Sequence, residues 1–151
     1  MEQLSSIKNE YDTVVYARGA FDILHAGHIE FINYAKSQGD TLVLGIISDN
    51  AIRENKGEGR PVKNEGDRLI VADAIKGVDY AFVVPVPDGT YSATEKVLRV
   101  LKPDVFVLYD EVPEHTNHFK KLIADYQIKL VLDNSKKRLS TTELIKKIKQ
   151  T

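Results

Sequence analysis

Residues 13–28 read TVVYARGAFDILHAGH. The first five, Thr13–Ala17, are rich in β-branched side chains and predict a strand. Gly19 follows, and a helix is expected from about Gly27 to Ser37. There Ile29, Ile32 and Ala35 recur at three-residue spacing beside Phe31 and give an apolar stripe. Gly39 reads as the close of that helix, because glycine takes a left-handed cap cheaply. Leu42–Ile47 (LVLGII) is a second strand, and its near-continuous apolar character indicates burial on both faces, as in a parallel sheet.

The same alternation continues outward. Asp49–Lys56 is expected to be helical, Lys56–Pro61 (KGEGRP) a loop, and Asn64–Ile75 a helix. Tyr80–Val84 is a third strand, and Pro85, Pro87 and Gly89 make a loop. Helix Ala93–Leu101, strand Val105–Leu108, helix Asn117–Tyr126, strand Lys129–Leu132 and helix Ser140–Lys149 complete the pattern. Strands alternating with helices imply right-handed crossovers and a sheet covered on both faces. The expectation is an α/β fold: a single Rossmann-like, three-layer domain over residues 1–151 with a five-stranded parallel sheet. No internal repeat, low-complexity segment or linker is visible.

With 151 residues, the chain has one domain's worth of core. An apolar fraction of 42% and a charged fraction of 28% are typical of a globular protein in water. A net charge of −1 provides no overall field for nucleic acid or an anionic membrane, so neither is expected as a partner. Lys136, Lys137, Lys146, Lys147 and Lys149 read as a solvated helix face. The absence of cysteine excludes disulfides, thiolate metal sites and a cysteine nucleophile. Met1–Asp12 is polar and lacks the apolar stretch of a secretory signal, and the longest apolar runs, such as Val105–Leu108, are strand-length. A cytoplasmic location is expected.

On parallel sheets ligands bind beyond the carboxyl ends of the strands, at the switch in strand order. The segment Gly19–His28 lies at such an end. Gly19 lets the backbone turn and lets a phosphate approach. His25 and His28 flank Gly27 at a helix N-terminus, where unpaired N–H groups and the helix dipole attract anions. Two imidazoles beside those donors can hold phosphate oxygens. Transfer to a phosphate monoester needs little acid–base help, since its second pKa is about 6. It needs in-line positioning and neutralisation of charge.

Other readings of these residues are simpler. The two histidines can be a polar helix cap, or half of a zinc site with His115 and His118, which share their spacing. Ser140 with Glu143 forms a capping box in its own right. Lys56 and Arg60 can be solvated loop charges, and Arg68 can pair at a helix surface. Phe21 is as easily core as a wall beneath a base. No metal site is expected from these residues. A dehydrogenase is disfavoured because the first loop lacks GxGxxG, and a P-loop kinase because no GxxxxGK[ST] occurs.

The run GAFDILHAGH resembles the GxFDxxHxGH signature of the cytidylyltransferase-like nucleotidyltransferase superfamily. Ser140-Thr141-Thr142 resembles its second signature, the STT that meets the triphosphate, and the two bracket nearly the whole chain. The resemblance implies that His25 and His28 polarise a triphosphate, helped catalytically by Lys56 and Arg68. It further implies nucleotide contacts from Gly19, Ala20, Phe21, Asp22, Gly27, His28, Asp110, Ser140, Thr141 and Thr142. Asp22 has the alternative role of hydrogen-bonding the loop.

The stretch Lys56–Val62 followed by Arg68 is similar to the adenylyltransferase half of bacterial ADP-heptose synthases. That likeness favours transfer of AMP from ATP to a sugar 1-phosphate, with release of pyrophosphate. The alternatives are a glycerol-3-phosphate-type cytidylyltransferase using CTP, an FMN adenylyltransferase, and a nucleotide-binding module without turnover. Mg²⁺ is implied with any triphosphate, and relatives imply a homodimer. The chain departs from the family at Leu108-Tyr109-Asp110-Glu111, which lacks the glycine of relatives, and at Ser135 and Arg138, where several relatives carry arginine and glycine.

Overall fold

The computed structural model describes residues 2–84, 90–109, 117–135 and 140–150. Along these the chain runs α1 (Glu2–Glu10), β1 (Val14–Gly19), α2 (Ala26–Lys36), β2 (Thr41–Ile47), α3 (Asp49–Lys56) and α4 (Glu65–Asp73). It continues through β3 (Tyr80–Val84), α5 (Thr90–Leu101), β4 (Val105–Leu108), α6 (Asn117–Asp125), β5 (Lys129–Leu132) and α7 (Thr141–Lys149). All neighbouring strands are parallel. Their order is β3-β2-β1-β4-β5, so the chain reverses its direction of travel across the sheet at β1.

Successive strand residues point to opposite faces, and β1 uses this to feed two cores. Val14 and Tyr16 join Leu98, Leu101, Phe106, Leu122 and residues of α1 on one face. Val15 and Ala17 join Phe31, Ile32, Ala35, Leu42, Leu44 and Ala72 on the other. Val14 to Ala17 are all fully buried, which is why a run of four apolar residues, rather than an alternating one, encodes this strand. The expected three-layer α/β architecture with five parallel strands is the one observed.

Two readings of the sequence are corrected. The polar segment Met1–Asp12 was assigned no structure, yet residues 2–10 form α1. Its apolar face is only Leu4 and Ile7, 7% and 4% exposed, and it packs against α5. Two apolar side chains in nine residues are too few for the helical period to stand out. Gly39 is not a left-handed cap: α2 ends at Ser37 in right-handed geometry. Glycine is needed there for space, since a Cβ would lie 2.7 Å from the methyl carbons of both Thr13 and Val15.

Candidate active site

A cavity of about 280 Å³ opens beyond the carboxyl ends of β1 and β4, where the strand order reverses. Four segments build it: the β1–α2 connection, the end of α3 with the loop after it, Tyr109 beyond β4, and the start of α7.

The β1–α2 connection carries the two histidines, and their geometry follows from capping. His25 is the N-cap of α2, and its Nδ1 accepts from the Gly27 amide at 3.1 Å. His28 returns the bond, its Nδ1 accepting from the His25 amide at 3.3 Å. The pair is thus a capping box made of two imidazoles, with ring centroids 3.9 Å apart. An Nδ1 that accepts is unprotonated, so on each neutral ring the proton sits on Nε2. Both rings line the cavity and can offer that N–H to an oxygen. Burial, then the charges of His25 and Lys56, push the His28 pKa down to about 4, against a weaker upward pull from Asp22. Burial also lowers that of His25. Near pH 7 the site therefore holds two neutral donors.

The turn before them is held in an unusual conformation. Phe21 has φ of +48°, costly for a residue with a Cβ, by roughly 1–2 kcal/mol. Its ring is buried against His28, with centroids 5.4 Å apart, and lies over Gly19. A Cβ on Gly19 would meet that ring at 2.9 Å, so this glycine serves close packing, and its φ is not left-handed.

Clamps on both sides keep the turn in place. The Ala20 carbonyl accepts from Arg68 Nη1. The Asp22 carboxylate accepts from the amides of Val62 and Lys63, each at 2.9 Å, and from Arg60 Nε at 3.0 Å.

Arg68 and Asp22 thus stand behind the cavity wall. Arg68 is 1% exposed and also donates to the carbonyls of Lys63 and Ile47 and to Asp49 Oδ1, the last at 2.8 Å. Neither residue is among those lining the cavity. Asp22 hydrogen-bonds the loop at Val62 and Lys63, and Arg68 bonds the backbone of the turn and of the segments beside it. The surface pairing considered for Arg68 does not occur, because the guanidinium is buried among carbonyls that need donors.

At the opposite wall Ser140 caps α7. Its hydroxyl accepts from the Glu143 amide at 3.2 Å, and the Glu143 carboxylate accepts from the Ser140 amide at 2.7 Å. Hydrogen bonding to the carboxylate from the Ser140 amide, and then from the Ser140 side chain, holds the Glu143 pKa below its usual value. Ser140, Thr141 and Thr142 line the cavity together with Gly19, Ala20, Phe21, Gly27, both histidines and Lys56. The structure therefore brings together residues lying at opposite ends of the sequence. Asp110, His115, Lys136, Lys137 and Arg138 lie outside the described residues.

Four lining residues were not singled out from the sequence as site residues: Arg18, Phe31, Arg60 and Tyr109. Arg18 and Tyr109 stand at the ends of the two strands flanking the switch point, a position that could have flagged them. Phe31 follows His28 by three residues on α2 and meets Tyr109 with ring centroids 5.3 Å apart, giving the cavity an aromatic wall. Arg18, Lys56 and Arg60 are cations, and no Asp or Glu is among the described lining residues. An arrangement of fixed cations, neutral N–H donors and a helix N-terminus beside an aromatic wall suits a nucleotide polyanion.

The model of the Cytidylyltransferase-like family matches residues 16–147. The bifunctional protein HldE of Helicobacter pylori (strain HPAG1) is 33% identical over 149 residues, 98% of this chain and 30% of that protein. The HldE of Campylobacter fetus is 35% identical over 154 residues, covering 99% of this chain and 31% of the relative. This chain therefore spans about 30% of the length of these curated relatives. Among solved structures, a lipopolysaccharide core biosynthesis protein from Thermoplasma volcanium superposes with a TM-score of 0.68 at 30% identity, over 82% of this chain and 98% of that one. A pantoate-beta-alanine ligase from Francisella tularensis shares the fold, with a TM-score of 0.62 at 20% identity over 99% of this chain and 76% of its own.

Proposed function

Because this chain belongs to the cytidylyltransferase-like family of nucleotidyltransferases, we propose that it moves AMP from ATP to a sugar 1-phosphate and releases pyrophosphate. The observation that carries the reading is the cavity at the switch point, with its three cations, two Nε2–H donors and the α7 N-terminus, and no acid among the described lining residues. AMP and a sugar 1-phosphate are favoured by the Lys56–Val62 segment and by the matches to HldE proteins along nearly the whole chain.

In this reading a phosphate oxygen of the acceptor attacks the α-phosphorus, and the bond from that phosphorus to the β-phosphate bridging oxygen breaks. Pyrophosphate leaves with the electron pair. The attacking monoester is already anionic near pH 7, so no base has to remove a proton. The work left to the protein is alignment and charge neutralisation. His25 and His28 donate Nε2–H to phosphate oxygens, and Lys56 adds a full charge at the end of α3. Phe31 and Tyr109 offer a face on which a base can lie. Mg²⁺ would arrive with the triphosphate and be held by phosphate oxygens and water. Asp22, the nearest acid in sequence, is unsuited to hold it, since its carboxylate is committed to three protein donors.

Pyrophosphate release, with ATP or CTP set against heptose 1-phosphate, glycerol 3-phosphate, FMN and phosphocholine, tests the reading. Turnover with ATP and the sugar phosphate is expected. Turnover only with CTP and glycerol 3-phosphate, or with ATP and FMN, would reassign the substrates. Nucleotide binding without turnover across the panel would favour a binding module.

A further inference from the structure

We propose that Arg60 is a phosphate-binding residue of this cavity, aimed into it by Asp22. The inference rests on the reading of the cavity as a nucleotidyl-transfer site. Arg60 follows two glycines with left-handed φ, Gly57 at +83° and Gly59 at +87°, in a loop whose other charged residues are exposed. A loop arginine ordinarily extends into water. This one is drawn inward: its side chain is 13% exposed, and Nε is fixed 3.0 Å from an Asp22 carboxylate that is 1% exposed. The Val62 and Lys63 amides also fix Asp22, so the anchor cannot swing.

Anchoring through Nε leaves the outer nitrogens of the guanidinium to find other acceptors. Nη2 is buried and has no hydrogen-bond partner, while Arg60 lines the cavity beside His25, His28 and Lys56. A buried cationic donor without a protein acceptor is completed by water or by a ligand. With Arg18 and Lys56 adding positive charge and no carboxylate among the described lining residues, the matching ligand atom is an anionic oxygen. A guanidinium can hold a carboxylate along one edge and a phosphate along the other, because its donors lie in a rigid plane; an ammonium group cannot. Two phosphates can meet it in this reaction, one in the nucleotide's polyphosphate and the other on the acceptor.

Calorimetric titration of wild type, Arg60→Gln and Arg60→Lys separates them. Three probes are used: ATP, inorganic tripolyphosphate, and heptose 1-phosphate added to protein saturated with a non-hydrolysable ATP analogue. Arg60→Gln is expected to weaken at least one probe by about 10-fold or more, the order of a charge-assisted hydrogen bond, measured well below the melting midpoint, which loss of the Asp22 pair lowers. Arg60→Lys should recover only part of that loss. Weakened tripolyphosphate and ATP would assign the contact to the nucleotide; weakened sugar phosphate alone would assign it to the acceptor. Unchanged affinities in Arg60→Gln would overturn the proposal and leave the functional reading standing. Full recovery by Arg60→Lys would overturn the fork. Wild-type protein that binds neither ATP, CTP nor tripolyphosphate would sink the functional reading, and this one with it.

Discussion

The cavity is closed by two helix N-termini that solve one problem differently. Both α2 and α7 begin with a reciprocal capping box. At α7 the cap is Ser140 with Glu143, side chains found at helix starts throughout proteins, and Glu143 is exposed. At α2 the cap is His25 with His28, and the residues that satisfy the backbone are also those that face the cavity. One side of each imidazole is used for folding, which fixes the proton on the other. The α2 terminus is further held from behind by Arg68 and Asp22, whereas of the first three residues of α7 only Thr141 is buried. Preorganisation therefore resides on the α2 side, and α7 supplies a lighter wall.

The largest expected effect is on that buried support. Arg68→Met removes a guanidinium that serves three carbonyls and Asp49. Breaking a buried charged network of this kind costs about 3–5 kcal/mol, to be read as a lowered urea midpoint. A cost near zero would show that the turn holds itself. Next come the two functions of His28. His28→Asn can still accept from the His25 amide but lacks the Nε2–H; it should keep stability and lose about 100- to 1,000-fold in turnover, as loss of an oxyanion donor does. His28→Gln has the length of Glu143, which caps α7 from the same position, so it too should keep stability, and with an amide N–H that can turn toward the cavity it should retain more turnover than His28→Asn. Loss of stability along with turnover in both variants would mean that capping and ligand contact are not separable at this residue.

At α7, Ser140→Ala should cost about 1 kcal/mol in thermal unfolding, well below the Arg68 effect. A loss matching that of Arg68→Met would erase the contrast between the two termini. A further effect is electrostatic. The folded pKa of His28 is lowered from 6.5 to about 4, so between those values the unfolded chain binds a proton that the folded chain does not. This contribution to stability is present above pH 6.5 and is lost as pH falls toward 4. The slope of melting midpoint against pH over that window should be shallower in His28→Asn than in wild type.

Most of the scaffold was readable because apolar strands alternate with periodic helices, and four strands and helices were placed to the residue: Asp49–Lys56, Tyr80–Val84, Val105–Leu108 and Lys129–Leu132. α1 escaped because its burial depends on α5 rather than on a pattern of its own. The site was readable where one residue type has few other uses in its position, as with His25, Gly27 and His28. It was not readable where the chemistry depends on which way a side chain turns. Arg60 and Arg68 look alike as loop and helix cations. Only the fold shows that one faces the cavity and the other stands behind it. Asp22 sits in sequence among residues that line the cavity; the amides forty residues onward that occupy it leave no trace in the local sequence.

The lining runs from Arg18 to Thr142. During synthesis, at about 5–20 residues per second, the sheet's central strands and both histidines leave the ribosome seconds before the opposing wall exists. A nascent chain can thus form its sheet and the turn before α2 while the binding site is still one-sided. A ligand that needs both walls can then stabilise only the finished fold and not its early intermediates. What can hold the half-built pocket in shape during those seconds is the set of internal clamps on the Ala20–Asp22 turn.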